Sequence, residues 1–288
     1  MSTAALAIRH SPTTTSSSFF SDHSGSPPAL NVNTLALLDA FLCDKADQER
    51  RFNELAAEQA AARISGLALD NEHCHDEEHE EEVTKPSPIS VAEFRLAFGE
   101  DWQLSQFWYT EPFANHLARA LHTLCTPKTT IAFLCCPTGF VAFQHLNHLP
   151  GAHLLEYDQR FAVVSSKQYT PYDLDEPDVF PEALRGKVDV VVVDPPFLNE
   201  VTNTKIAQTL RQILHPTRGK LLLITSTSIE ETLHKIYDGT PTGPLRKTKM
   251  VVEHRQLSND FAAWGSWEGA EDFGLDSTTL SLEEGRDN

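Results

Sequence analysis

Asp194-Pro195-Pro196-Phe197 follows directly on Val188 to Val193, a run of five valines around one aspartate. A β-branched run of this kind suits a central strand buried on both faces. Strand-end loops of open parallel sheets are where such folds bind ligands. An amine about to accept a methyl group must aim its lone pair at the incoming carbon. The Asp194 carboxylate and the Pro195 carbonyl both accept hydrogen bonds from N–H groups, which fixes that aim. Pro195 and Pro196 restrict φ and stiffen the loop, and group transfer of this kind depends mainly on alignment. Phe197 offers a flat face for a planar base or an ammonium group. Asp and Pro are also ordinary turn residues, so a plain strand-end turn is the alternative reading.

A second set of residues suits a nucleoside. Glu156 ends an apolar run, Ala152 to Tyr157, and acidic groups at such strand ends accept hydrogen bonds from ribose hydroxyls. Asp158 is a second candidate at the same place. Tyr172-Asp173 precedes an acidic stretch and is placed to line the far end of the same pocket. A solvent-exposed strand end and an exposed acidic loop are the alternatives. The first strand-to-helix turn, Cys135-Cys136-Pro137-Thr138-Gly139, has a single glycine. Glycine-rich turns let backbone approach a ligand closely. Either Cys135 and its neighbours meet the ligand differently here, or binding there is impaired.

These residues need a sheet to position them. Ile131 to Cys136 reads as a strand, Phe140 to His148 as a short helix, and Ala152 to Tyr157 as the second strand. Asn199 to Leu214 is a helix whose apolar face is Val201, Ile206, Leu210, Ile213 and Leu214. Lys220 to Thr225 is a further strand. Ser228 caps a helix through Tyr237, with Glu231 completing a capping box. Met250 to His254 and Phe261 to Trp267 close the domain as a hairpin. The alternation predicts an α/β, Rossmann-like, mostly parallel sheet with helices on both faces. Ahead of it, residues 1–30 are Ser-, Thr- and Pro-rich and read as a disordered tail. Residues 31–66 form an N-terminal helical segment, periodic from Thr34 to Ile64. Residues 67–89 form an acidic, His-rich linker, 90–276 the main domain and 277–288 a C-terminal tail. His73, Cys74, His75 and His79 in the linker have metal-ligand chemistry, but a solvated acidic run accounts for them. We assign no metal.

Charge narrows the partner. The chain carries a net charge of −18, and residues 101–276 hold 15 Lys and Arg against 21 Asp and Glu. Nucleic-acid binders normally present basic surface, so this balance argues against a nucleic-acid partner and for a basic macromolecule. No apolar run reaches the roughly 20 residues that cross a bilayer. The five cysteines show neither zinc spacing nor a secreted framework. Together with the lack of an apolar leader, this points to the cytoplasm.

Four segments occur here in one order: Gln103 to Tyr109 (QLSQFWY), Glu156 to Phe161 (EYDQRF), Asp194 to Phe197 (DPPF) and Phe273 to Asp276 (FGLD). Together they resemble the eukaryotic lysine methyltransferases of translation elongation factor 1-alpha, a group first labelled N6-adenine-specific DNA methyltransferases. The resemblance spans about Phe94 to Asp276. It implies a seven-stranded methyltransferase fold, S-adenosylmethionine as donor and a lysine of elongation factor 1-alpha as acceptor. Asp194 and Phe197 match the family's Asp-Pro-Pro-Tyr/Phe loop, and Glu156 and Asp158 its acidic segment after the second strand. The Gly-poor first turn also looks like this family. The long N-terminal extension and the linker depart from it.

Phe107, Trp108 and Tyr109 are candidates to wall the acceptor pocket, or else to seal the domain as an aromatic cluster. Asn259 is placed to reach the substrate from between the last two strands, where a surface turn is the alternative. Free lysine is mostly protonated near neutral pH. An apolar pocket favours the neutral amine while Asp194 favours the charged one, so Asp194 is expected to orient rather than act as a strong base. Two rivals remain: an N6-adenine nucleic-acid methyltransferase using the same loop, and a non-catalytic binding module with a dead cofactor site.

Overall fold

The computed structural model describes residues 31–70, 88–257 and 260–275. Seven strands form one sheet in the order β3-β2-β1-β4-β5-β7-β6. Four of them are the centre: β1 (Ile131–Leu134), β2 (Ala152–Glu156), β4 (Val190–Val193) and β5 (Lys220–Ser226), all parallel. β3 (Tyr169–Pro171) extends the sheet beside β2. β7 (Phe261–Gly265) runs antiparallel to β5 and carries β6 (Arg246–Lys247) on its outer side. The register aligns Ile131 with Val190 and Val190 with Lys220.

The period-two rule for strands sorts the core. Ile131, Phe133, Val190, Val192, Leu222 and Ile224 face one side. There they meet α2 (Val91–Ala97), α3 (Glu111–Thr123) and α4 (Pro137–Leu146) through Phe94, Leu117, Phe140 and Phe143. Ala132, Leu134, Val191, Val193, Leu221 and Leu223 face the other side. There they meet α5 (Glu200–Ile213) and α6 (Glu230–Ile236) through Ile206, Leu210 and Leu233. Every residue of β1 and of β4 is buried, as the valine run demands. Helices therefore cover both faces, and the seven-stranded α/β architecture is the one expected.

The chain winds outward from β1 towards β3, then returns to β4 and winds the other way. Strand order therefore reverses between β1 and β4. Their carboxyl ends splay apart there, which is where open α/β sheets hold ligands.

Several boundaries differ from the expectations. α1 runs Val32–Asp70, past residues 64 and 66, because Gly66 costs only about 1 kcal/mol in a helix interior and no proline follows until Pro86. A contact boundary falls within α1, after Cys43. Before it, Leu35, Leu38 and Leu42 are exposed. After it, Phe52 packs edge-on against Phe98 at 5.6 Å. α4 starts at Pro137, whose missing N–H is harmless in a first turn. Ser228 is not a helix cap. Ser226 accepts the Ser228 N–H instead, and a 3₁₀ turn over Thr227–Ile229 leads into α6. Met250 to His254 is not a sheet strand. Its backbone pairs with Trp108 to Thr110 rather than with β7, through Thr110 N to Glu253 O (3.0 Å) and Arg255 N to Trp108 O (3.3 Å). The tail 1–30, the linker core 71–87 and residues 277–288 lie outside the described residues, as do His73, Cys74, His75 and His79.

Candidate active site

A cavity of about 390 Å³ opens at the reversal point between β1 and β4. That is roughly the volume of a small-molecule site. Sheet order divides its lining into two halves. Cys135 to Thr138, Glu156, Tyr157 and Tyr172 to Asp175 come from the ends of β1, β2 and β3. Asp194 to Leu198, His254, Leu257 and Phe261 come from the β4, β5 and β7 side. Gln103 to Tyr109 lie across both.

Asp194 stands where β4 ends, its N–H donating to the Leu134 carbonyl at 3.2 Å. Its Oδ2 accepts a hydrogen bond from the Tyr109 hydroxyl at 2.6 Å. Burial pushes the carboxyl up to about 7, and the Tyr109 bond opposes that rise. Tyr109 is buried, edge-on to Phe113 at 4.9 Å, so its hydroxyl is held in place. Burial first, and then the neighbouring Asp194 charge, raise its own phenol well above the usual value. The Phe197 carbonyl accepts the Asn199 N–H, and Asn199 in turn caps α5 through the Thr202 N–H. The stiff Pro-Pro loop is thus anchored at both ends. Phe197 itself is half exposed at the cavity mouth.

Glu156 ends β2, buried. One carboxylate oxygen accepts the Tyr157 N–H at 3.0 Å, which leaves the second oxygen without a protein partner among the described residues. Burial raises this carboxyl to about 7 against those backbone bonds. Cys135 takes a left-handed backbone conformation, φ 54°, as the chain turns from β1 into α4. The single glycine of the turn does not face the cavity's ligand space. A Cβ on Gly139 would come within 2.7 Å of Cys136 Sγ, so its role is close helix-to-strand packing.

The sequence profile of the family described as "Probable N6-adenine methyltransferase" matches residues 100–269, more than half the chain and the whole cavity lining. A protein-lysine N-methyltransferase of Saccharomyces cerevisiae, EFM5, is 30% identical over 255 residues, covering 83% of this chain and 92% of the relative. The chain belongs to this methyltransferase family. The EEF1A lysine methyltransferase 1 of Mus musculus is 33% identical over 180 residues, covering 62% of this chain and 78% of that one. The human protein of the same name is 30% identical, covering 61% and 79%.

Within this methyltransferase the expected residues separate. Asp194, Pro195, Pro196, Phe197, Cys135, Glu156, Tyr172 and Asp173 all line the one cavity. Asp158 does not. Its carboxylate is used by Arg160 (2.6 Å) and by Gln106 Nε2 (3.0 Å). Burial works against its ionisation, but those bonds outweigh it and hold the carboxyl below the usual range. Asp158 thus ties the QLSQFWY segment to the end of β2. Tyr172 lines the cavity but turns its hydroxyl to Thr209 at 2.8 Å, into the core. Asp173 accepts the Asp175 N–H, which shapes its loop.

The three aromatics of QLSQFWY do three different things. Tyr109 holds Asp194. Trp108 is buried, its indole N–H donating to the Phe98 carbonyl at 2.8 Å, and its ring packs on Phe94 and Phe161. All three line the cavity, and Phe107 is half-buried there. Asn259 lies outside the described residues. His254 was not foreseen. The pairing of 253–255 with 108–110 sets its ring 5.0 Å from Tyr109 and 4.4 Å from Phe261, and burial lowers its pKa to about 4. No motif marks it. A long-range backbone pairing brings it there. No group of His, Cys, Asp and Glu among the described residues forms a metal site.

Proposed function

We propose that this chain transfers a methyl group from S-adenosylmethionine to a lysine side chain of translation elongation factor 1-alpha. The relatives named above carry that activity or that factor in their names. The supporting observation is the charge of the cavity. Of the described residues that line it, Glu156, Asp173, Asp175 and Asp194 are acidic and none is Lys or Arg. Such a lining draws in a cation and repels phosphate. The same loop shape would hold an adenine amino group, but a base brings its phosphates with it.

The residues fit the donor. Bound S-adenosylmethionine supplies an activated methyl on a sulfonium. The free oxygen of Glu156 would take its ribose hydroxyls, the turn beginning at Cys135 would contact it through backbone, and Tyr172-Asp173 would flank its base. The acceptor amine belongs to the other half. Asp194 attracts the incoming ammonium. Because Tyr109 occupies one carboxylate oxygen, the other is left to accept an amine N–H, and the Pro195 carbonyl takes a second. His254 stays neutral at physiological pH, so it adds no repulsion. Loss of the ammonium proton to water frees the lone pair, and Asp194 then orients it.

No helix among the described residues is long and apolar enough to cross a membrane. We place the reaction in the cytoplasm, where translation factors work. Acetylating the factor's lysines before incubation with enzyme and methyl-labelled donor tests the acceptor. Label should disappear; retained label would put the methyl on another group.

A further inference from the structure

Beyond the reacting centre, the cavity mouth presents exposed apolar side chains that the reaction does not use. Trp102 is 66% exposed and stands edge-on to Phe107, 4.8 Å away. Leu104, two residues on, is also exposed, and Phe197 is 47% exposed. Leu104, Phe107 and Phe197 line the cavity itself, so the patch continues into it. Large aromatics are normally kept out of water unless they meet a partner.

The turn that carries Trp102 is preformed. Asp101 and Gln106 pair across it, the Gln103 N–H donates to Asp101 Oδ1 at 2.9 Å, and Ser105 takes a left-handed φ of 53° to close it. Gln106 anchors it to Asp158 at 3.0 Å. Little ordering is left for binding to impose. The three segments around the mouth, 100–107, 171–178 and 194–201, hold eight carboxylates and no Lys or Arg. Lys205 pairs with Asp175 and Arg160 reaches Gln106, but acids predominate, and an apolar patch in a mainly acidic surround suits a protein surface that is basic and apolar at once.

Resting on the lysine-methyltransferase reading, we propose that Trp102, Leu104 and Phe107 form a docking platform for the protein substrate. The platform takes apolar side chains neighbouring the target lysine on the folded factor. It acts on substrate capture and leaves the reacting atoms untouched.

Steady-state kinetics on the full chain test this, with folded elongation factor 1-alpha and S-adenosylmethionine varied in turn. The variants are Trp102→Ser and, as control, Leu146→Ser, an exposed apolar position in the last turn of α4, away from the strand ends that form the mouth. Trp102→Ser should raise KM for the factor about tenfold, with kcat and the KM for the donor unchanged. Leu146→Ser should change neither. An unchanged KM for the factor in an active Trp102→Ser enzyme would overturn the platform and leave the functional reading intact. A rise in donor KM instead would make the patch part of the cofactor site. A change of sedimentation coefficient in place of a KM effect would make it a contact between two copies. Wild-type enzyme that labels no protein would overturn the functional reading, and the platform's occupant with it.

Discussion

The hydroxyl of Tyr109 donates a 2.6 Å hydrogen bond to the carboxylate of Asp194, across 85 residues of sequence. This contact joins the aromatic segment before α3 to the loop after β4. It holds the carboxylate in one orientation and stabilises its charged form against burial.

Removing that donor should therefore disturb ionisation as well as geometry. In Tyr109→Phe the Asp194 carboxyl rises further above 7, since the one group that lowers it is gone. If ionised Asp194 receives the amine, kcat/KM of the wild type climbs as pH passes about 7. The inflection in Tyr109→Phe should move upward, so that its deficit is larger near neutral pH than in alkali. An unshifted inflection would show that Tyr109 acts only through packing.

Stability without ligand should depend on pH in a defined sense. The folded-state pKa of Asp194 is raised, as is that of Glu156. Unfolded carboxylates titrate near about 4. The folded state therefore binds these protons more tightly. The stabilisation is complete below about pH 4 and is lost as pH rises through about 7. Asp194→Asn removes the cost of a buried charge. Its melting temperature should exceed that of the wild type by at least about 2 °C near pH 8, and the gain should vanish near pH 4. Thermal unfolding of both proteins at both pH values checks this. A gain independent of pH would contradict it.

Glu156 and Asp158 stand two residues apart and should behave differently. Glu156→Gln loses a charge-assisted acceptor for the donor's ribose, and calorimetry should show about tenfold or more weaker binding of S-adenosylmethionine. Asp158→Asn should leave that affinity within about twofold and lower thermal stability instead, because Arg160 loses its charged partner and one of the two oxygens shared by Arg160 and Gln106 becomes an amide donor. Equal losses of affinity would mean that Asp158 also reaches the ligand.

The same contrast holds within the aromatic triplet. Trp108→Ala empties a buried site and breaks the bond to Phe98, at a cost of about 3–5 kcal/mol in denaturant unfolding. Phe107→Ala at the partly exposed mouth should cost no more than about 1 kcal/mol and show itself in KM for the acceptor. Matching stability losses would show that Phe107 too belongs to the core.

The strands β1, β2, β4, β5 and β7 were legible from residue types, because valine runs and strand-end acids act over a few neighbouring residues. The short edge strands β3 and β6, of three and two residues, carry no such pattern. The Asp194 loop was legible too, because proline chemistry announces itself locally. What could not be read depends on contacts far apart in the chain. Met250 to His254 has the composition of a strand, yet its backbone found partners in Trp108 to Thr110, and His254 reached the cavity by that route. Asp158 looked equivalent to Glu156 until Arg160 and Gln106 claimed it. The triplet Phe107, Trp108 and Tyr109 offered two roles, and the fold shows that all three line the cavity while Trp108 also seals the core and Tyr109 also holds Asp194.

The most direct measurement incubates wild-type protein and Asp194→Ala with methyl-labelled S-adenosylmethionine, separately with elongation factor 1-alpha and with adenine-containing DNA and RNA, and locates the label by mass spectrometry. We expect label on a lysine of elongation factor 1-alpha, absent from the nucleic acids and lost with Asp194→Ala. Label on adenine, or label on the factor that survives Asp194→Ala, would contradict the account.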